Sequence, residues 1–124
     1  GQAVTAQSAA QEFERGQMHW YGDERAIIAL ANDGSYGVYT DEWQEDMPTY
    51  SCEREPPPDL YQPIRGFGLV WCREEAVREG LGWALQKERA SELSVQAYER
   101  GLLLQEAEGP VYALFQDGSW SKYP

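Results

Sequence analysis

Two stretches of the 124-residue chain decide its fold: Gln11–Met18, which reads QEFERGQM, and Gln96–Leu103, which reads QAYERGLL. A second matching pair follows in the same order, ALANDGSY at residues 29–36 and ALFQDGSW at residues 113–120. Internal similarity of this kind indicates a duplicated unit. We therefore divide the chain into copy one (about residues 5–43), an insert (about 44–87) and copy two (about 88–124), all within one domain.

Each copy opens with an amphipathic lead-in, Thr5–Arg15 in copy one and about Ser91–Arg100 in copy two. The lead-in ends in Arg-Gly, and a cation in the last turn followed by glycine is typical of a helix end. The alternation of Leu93, Val95 and Ala97 leaves an extended lead-in open as the alternative. We expect a helix.

Three short strands follow the lead-in of each copy, and Asp33-Gly34 and Asp117-Gly118 supply tight turns between the last two strands. The expected strands lie at residues 17–21, 26–31 and 36–40 in copy one and at 102–105, 111–115 and 120–123 in copy two. A lone meander has too little core to be stable. The sequence thus predicts a small α+β domain of two pseudo-twofold-related three-stranded β-meander units with short helices.

The insert differs in kind from the two copies. Pro48 and Pro56–Pro58 predict an extended loop. Leu69–Trp71 is typical of a short buried strand, and Arg73–Glu79 of a two-turn helix stopped by Gly80.

The chain has two cysteines, Cys52 and Cys72, both in the insert. In an exported protein they would form a disulfide, and in a cytosolic one they would be unrelated thiols. Two cysteines and one histidine are too few ligands for a structural zinc site, so we expect no metal.

The charge balance bears on partners, because 21 acidic residues outnumber 10 basic ones and give a net charge of −11. Nucleic-acid binding depends on Lys and Arg that neutralise phosphates, so we expect no nucleic-acid partner. Apolar runs are short, so we expect no membrane insertion. Residues 1–5 lack the basic end and apolar stretch of a signal peptide, and a start without Met is typical of a chain cut from a longer one.

The insert and the start of copy two resemble a known family. Leu81–Ala84 reads LGWA, Glu88 supplies an acid, and Gln96–Gly101 follows; together they resemble the LGFP-type repeats of exported bacterial cell-wall proteins. The segment from Gly66-Phe67-Gly68 through Trp71 to Leu81-Gly82-Trp83 also resembles an uncharacterised bacterial extracytoplasmic domain. The resemblance implies an extracytoplasmic location and association with the cell wall, and the implied export favours a disulfide-closed insert.

We find little in the sequence that predicts catalysis, and we expect a non-enzyme without a cofactor. A hydrolytic triad needs a base beside a nucleophile, but the only histidine, His19, reads as a strand residue that faces solvent or a groove. Acid pairs such as Glu74-Glu75 are expected by chance among 21 acids. The Asp-Gly segments are typical of hairpin turns rather than of calcium loops.

The aromatic residues carry the functional hypothesis, because five Trp and eight Tyr exceed what a small core needs. We predict a non-catalytic envelope module that recognises cell-wall glycan, peptide or a partner protein through a groove between the copies and the insert. Its predicted ligand-binding residues are Trp20, Trp43, Tyr21, Tyr39 and Arg65. A structural or sensory ectodomain that dimerises without a small ligand is the first alternative, and a hydrolase the second.

Overall fold

A computed structural model describes residues 4–124, with side chains from residue 7 onward. Residues 1–3 lie outside the described part of the chain. The prediction about a signal peptide concerned residues 1–5, so it falls mostly outside the described residues. The regular elements are strands β1 (Val4–Phe13), β2 (Gly16–Tyr21), β3 (Ala26–Ala31) and β4 (Tyr36–Thr40), helices α1 (Arg65–Arg73) and α2 (Glu75–Leu81), and strands β5 (Arg89–Tyr98), β6 (Gly101–Glu106), β7 (Val111–Phe115) and β8 (Trp120–Tyr123).

All eight strands belong to one antiparallel sheet with the order β4-β3-β2-β1-β5-β6-β7-β8. The two long strands β1 and β5 pair at the centre, from Val4 opposite Val95 to Ala10 opposite Arg89. Each half of the sheet is then a meander of sequential neighbours. The chain is therefore a small single domain built mainly from an antiparallel sheet, with two short helices.

The sheet curls until the first residues of β4 and β8 meet, with a bridge between Ser35 and Ser119. Two side chains cross this junction reciprocally. The indole Nε1 of Trp120 donates to the carbonyl of Ala31 at 2.8 Å, and the hydroxyl of Tyr36 donates to the carbonyl of Phe115 at 2.7 Å. Matching positions of the two copies thus hold the sheet nearly closed.

The predicted lead-in helices are wrong, because both segments form the long strands β1 and β5. Each half consequently has four strands rather than three. The glycine of each Arg-Gly pair is needed for close packing and not for a helix end. A Cβ at Gly16 would lie 2.2 Å from the Leu30 carbonyl oxygen, and one at Gly101 would lie 1.8 Å from that of Leu114.

Two further predictions for the insert need correction. The expected strand Leu69–Trp71 lies inside α1, where helical spacing turns Phe67, Val70 and Trp71 toward one core. The expected helix at 73–79 corresponds to α2, which begins only at Glu75 and continues past Gly80 to Leu81, where Gly82, whose φ is +76°, caps it. Leu81 therefore remains helical and is buried beneath the turn.

Two cores lie on opposite faces of the sheet, as strand alternation requires. The outer core packs α1 and α2 on the first half of the sheet and includes Met18 and Ile27. The inner core, enclosed by the curl, includes Ile28 and Leu104 from the two halves. Neighbouring residues of β3 thus serve different cores.

The insert is tied to itself by a disulfide between Cys52 and Cys72, whose Cα atoms are 5.9 Å apart. Cys72 belongs to α1, and Cys52 lies in the irregular loop before it. The side-chain amide of Gln62, which is buried, donates to the Cys52 carbonyl at 2.7 Å. The predicted disulfide-closed insert is confirmed.

Candidate functional site

Three of the five predicted ligand-binding residues meet in one groove of about 750 Å³ between copy one and the insert. We call it the tryptophan groove. Trp20 comes from β2, Trp43 from the loop after β4, and Arg65 from the start of α1. The groove is lined by Ala9, Trp20, Gly22, Arg25, Asp41, Trp43, Gln44, Glu45, Arg65, Gly66, Phe67 and Glu88.

Hydrogen bonds fix Trp43 in the groove wall. Its indole Nε1 donates to the carbonyl of Pro48 at 2.9 Å, and its backbone N–H donates to Oδ1 of Asp41 at 3.1 Å. The guanidinium of Arg25 donates to the carbonyls of Asp41 and Trp43 at 3.0 and 3.3 Å. The loop that carries the half-buried indole ring is thereby pre-ordered, which lowers the entropy cost of binding.

Trp20 forms the opposite wall, and its ring packs against Gly22. A Cβ at Gly22 would lie 3.0 Å from the Trp20 ring, so a larger residue there would push the indole aside. Indole Nε1 of Trp20 is buried and has no hydrogen-bond partner among the described residues. It is one of four buried side-chain N or O atoms without a partner in that part of the chain.

Opposite charges lie close together at the floor of the groove. Glu88 is half-buried, and burial raises the pKa of its carboxyl group; Arg65 opposes that rise, whereas Asp41 adds to it. Asp41 itself lies against the beginning of α1, because a Cβ at Gly66 would be 2.7 Å from its Oδ1. The groove therefore offers an exposed guanidinium beside a partly desolvated carboxyl group, between two indole rings.

The other two predicted binding residues lie elsewhere. Tyr21 is buried on the inner face of the sheet, because it directly follows Trp20 in β2 and side chains alternate along a strand. Tyr39 lines a separate groove of about 350 Å³ beside Leu69 and Arg73 of α1. Neither tyrosine lines the tryptophan groove.

Sequence reasoning did not find Arg25, Asp41 or Glu88 as parts of the groove. Each is an ordinary charged residue in its local sequence, and Glu88 comes from the start of copy two. Only the three-dimensional pairing of β1 with β5 brings the segment before β5 beside β2. Local patterns carried no signal for this arrangement.

His19 does not face solvent or a groove as predicted; it is fully buried on the inner face. Its Nε2 lies 2.6 Å from Oε1 of Gln17, and its ring centroid is 5.7 Å from that of Tyr112. Burial lowers the pKa of His19, against the opposing influence of Glu106 and Glu12. This prediction was wrong because β2 places His19 on the face opposite Met18 and Trp20, and the curl encloses that face.

A charged triplet lies near His19 where the inner face opens. Arg89 donates to Glu12 at 2.7 Å and also pairs with Glu106. The three side chains come from β1, β5 and β6, so they link the two halves of the sheet. Among the buried polar side-chain atoms of this cluster, only Nδ1 of His19 lacks a hydrogen-bond partner within the described residues, and we interpret the cluster as structural.

The insert also has a concavity of its own, of about 790 Å³, beside the disulfide. Tyr50 and Tyr61 are exposed at its sides, and Pro56 and Leu60 add apolar surface. It lies within the loop region and is lined by no residue of the sheet.

No group of three or more His, Cys, Asp or Glu residues within the described part of the chain is arranged to hold a metal ion. Over the same residues, no helix has the length and apolar character needed to cross a membrane. No protein-family model, curated protein or solved structure matches the chain.

Proposed function

We propose that this chain is a non-catalytic binding module of the bacterial envelope that recognises cell-wall material through the tryptophan groove. The observation that carries the proposal is the convergence of Trp20, Trp43 and Arg65 from three separate segments on one concavity. Indole faces stack on the apolar faces of sugar rings and on peptide side chains, and polar groups at the edges fix the orientation of a ligand.

The chemistry of the groove favours a ligand with hydroxyl and amide groups. Arg65 is a donor and Glu88 is an acceptor. Glycan and short peptide carry complementary groups, whereas a nucleic acid would meet Asp41, Glu45 and Glu88 with its phosphates. Protein partners that present such a peptide belong to the same proposal.

An extracytoplasmic location is part of the proposal. The Cys52–Cys72 disulfide is consistent with it, because such bonds persist in oxidising compartments. The resemblance to LGFP-type repeats in Leu81–Ala84 and Gln96–Gly101 points in the same direction. We further propose that the two halves of the sheet are pseudo-twofold-related copies, since the Tyr36 and Trp120 junction bonds are reciprocal.

The absence of catalysis is proposed from the environment of the acids in the groove. A glycoside hydrolase needs two carboxyl groups that flank the scissile bond in different protonation states. In the tryptophan groove Asp41 accepts the backbone N–H of Trp43 and packs on Gly66, so it is engaged in holding the loop. Glu45 is exposed, so Glu88 is the other half-buried acid among the residues that line the groove.

Cosedimentation of the purified chain with peptidoglycan tests the proposal. We expect binding that Trp43→Ala weakens at least about tenfold, because an aromatic residue at the centre of a site contributes about 2 kcal/mol. Tyr50→Ala is the matched control, since Tyr50 is an exposed aromatic outside the groove. N-acetylglucosamine oligomers and muropeptides, titrated separately against intrinsic Trp fluorescence, distinguish glycan from peptide as the bound part.

Equal binding by the wild type, Trp43→Ala and Tyr50→Ala would show that the tryptophan groove is not the binding site. No binding to any of these materials, together with a stable dimer by sedimentation velocity, would support the dimerising ectodomain instead. Release of reducing sugar from peptidoglycan would contradict the non-catalytic assignment.

A further inference from the structure

In copy one, the Glu-Arg pair of the repeated motif holds the end of helix α2. The guanidinium of Arg15 donates to the carbonyls of Glu79 at 2.7 Å and Gly80 at 3.2 Å. Carbonyl groups in the last turn of a helix lack intrahelical partners, and a cation there also suits the helix dipole. Oε1 of Glu14 accepts the backbone N–H of Trp83 at 2.9 Å.

Backbone hydrogen bonds also hold the end of α2. The N–H groups of Glu14 and Arg15 donate to the carbonyls of Trp83 and Leu81, both at 2.9 Å. The side chain of Leu81 packs directly over Gly16, because a Cβ there would lie 2.4 Å from Cδ2 of Leu81. Glu14, Arg15 and Gly16 thus form a receptor for a helix that ends in Leu-Gly-Trp.

The sheet face beside this receptor is the other half of the docking surface. Met18 and Ile27 are fully buried there, and Val77 and Leu81 of α2 pack on them. Among the described residues, the outer core that includes both helices has no member from β5–β8.

Copy two retains the receptor. Glu99, Arg100 and Gly101 align with the three residues of copy one. The local backbone also matches, because the N–H of Gln116 donates to the Arg100 carbonyl at 3.1 Å as that of Asn32 donates to Arg15 at 2.8 Å. Yet Glu99 and Arg100 are exposed, and within residues 4–124 their side chains make no hydrogen bond or ion pair.

The apolar face beside the receptor is retained as well. On the outer side of β6, β7 and β8, side chains of the same apolar character stand at the positions that α2 covers in copy one. Leu103, Val111, Phe115 and Tyr123 align with Met18, Ile27, Ala31 and Tyr39. The first three are half-buried and Tyr123 is 50% exposed, whereas Met18 and Ile27 are 0% exposed.

We propose that copy two is a docking surface for the C-terminal end of an amphipathic α-helix from a partner protein. Arg100 binds the last carbonyls of that helix, Glu99 accepts an N–H just beyond it, and the apolar side of the helix covers Leu103, Val111 and Phe115. The helix end resembles the α2 segment of this chain, with an apolar residue, a glycine and an aromatic residue in succession. The proposal does not depend on the tryptophan groove.

A second copy of this chain is a poor occupant for two reasons. Its own α2 end is already held by Arg15 and Glu14. Two chains of net charge −11 also repel each other, and Glu92 and Glu108 are exposed around this face. A helix of another protein that has basic residues beside its apolar face would have a free end and would be attracted by the negative charge.

The probe is a synthetic helix whose end copies residues 75–85, EAVREGLGWAL, behind an alanine-rich extension with lysines that keeps it helical and makes it basic like the proposed partner. Titration into the ¹⁵N-labelled chain is expected to shift the amide resonances of Arg100, Leu103, Val111 and Phe115. Arg100→Ala should weaken binding about tenfold, because two charge-assisted hydrogen bonds are lost. Lys87→Ala is the control, since it removes one exposed cation without touching the face.

Three results of the titration would overturn the proposal, and so would a dimer of the chain that uses this face. One is equal binding by Arg100→Ala and Lys87→Ala, and another is no resonance shift at millimolar peptide. The third is shifts confined to β2 and β3, which would mean that the peptide displaces α2 from copy one. Sedimentation equilibrium of the chain alone is run in parallel, and a dimer broken by Val111→Asp would identify a second copy as the occupant.

Discussion

Replacing Tyr36 with Phe should weaken the junction that closes the sheet. The substitution removes a single hydroxyl, which donates to the Phe115 carbonyl at 2.7 Å and joins the two halves. A hydrogen bond of this kind contributes about 1 kcal/mol net. The Phe115 carbonyl still accepts the Gly118 N–H at 3.1 Å, so no acceptor becomes unsatisfied. The expected loss is therefore about 1 kcal/mol and not the larger cost of an orphaned group.

This free energy converts to a measurable shift in melting temperature. Unfolding entropy is about 2.1 cal/mol/K per residue, so 124 residues correspond to about 260 cal/mol/K. A loss of about 1 kcal/mol then lowers Tm by about 4 °C. Trp120→Phe should cost more, about 2 kcal/mol, because it removes both the bond to the Ala31 carbonyl and apolar contact area.

Differential scanning calorimetry measures the Tm, and native-state hydrogen exchange reports on the junction itself. The Tyr36 and Trp120 amides donate across the junction to Gly118 and Gly34, and both should exchange faster in Tyr36→Phe. Tyr123→Phe is the control, since that tyrosine is 50% exposed. A Tm for Tyr36→Phe equal to that of Tyr123→Phe, with unchanged exchange at both amides, would refute the stabilising role of the junction.

Two more predictions concern the insert and the inner core. The double variant Cys52→Ala with Cys72→Ala removes the disulfide, which joins residues with a sequence separation of 20, and the chain-entropy relation gives a loss of about 3 kcal/mol in the free energy of unfolding. The urea midpoint should fall both in the double variant and in the reduced wild type. An unchanged midpoint would contradict this estimate. Burial holds the pKa of His19 in the folded chain below its ordinary value of 6.5. Between these two pKa values the unfolded state binds more protons than the folded state, so the free energy of unfolding should fall as the pH drops below about 6.5. Glu106, Glu12, Arg89 and Tyr112 face the same cluster, and the lowered pKa of Glu106 adds a further loss at more acidic pH. Urea midpoints from pH 8 to 5 should show a shallower slope for His19→Gln than for wild type, and parallel slopes would contradict the assignment.

The repeat, its Asp-Gly turns and the disulfide could be predicted from sequence, whereas the lead-in segments could not. Arg15-Gly16 satisfies the pattern of a helix end, and the same two residues equally suit a strand that passes close to Leu30. Only the pairing of β1 with β5 decides between these, and that pairing joins residues 79 to 91 positions apart in sequence. Tertiary pairing overrides local preference in such cases.

The tryptophan groove was predictable in part for a related reason. Aromatic and cationic composition pointed to Trp20, Trp43 and Arg65, and the structure brings these three together. Tyr21 directly follows Trp20 in the predicted strand, and side chains alternate between the two faces of a strand. The strand period alone therefore places Tyr21 on the face opposite the groove.

The two copies differ in the residues that line the tryptophan groove and in whether a helix covers the Glu-Arg-Gly receptor. Trp20 of copy one corresponds to Gln105 of copy two, so the second half lacks this indole of the tryptophan groove. Conversely, the Glu-Arg-Gly receptor is present twice, and α2 occupies only the first. Residues that merely stabilise a sheet would vary freely at exposed positions such as Glu99 and Arg100. Glu99 and Arg100 are identical to Glu14 and Arg15 although no helix of the described chain covers them, which is what a second helix-binding surface requires.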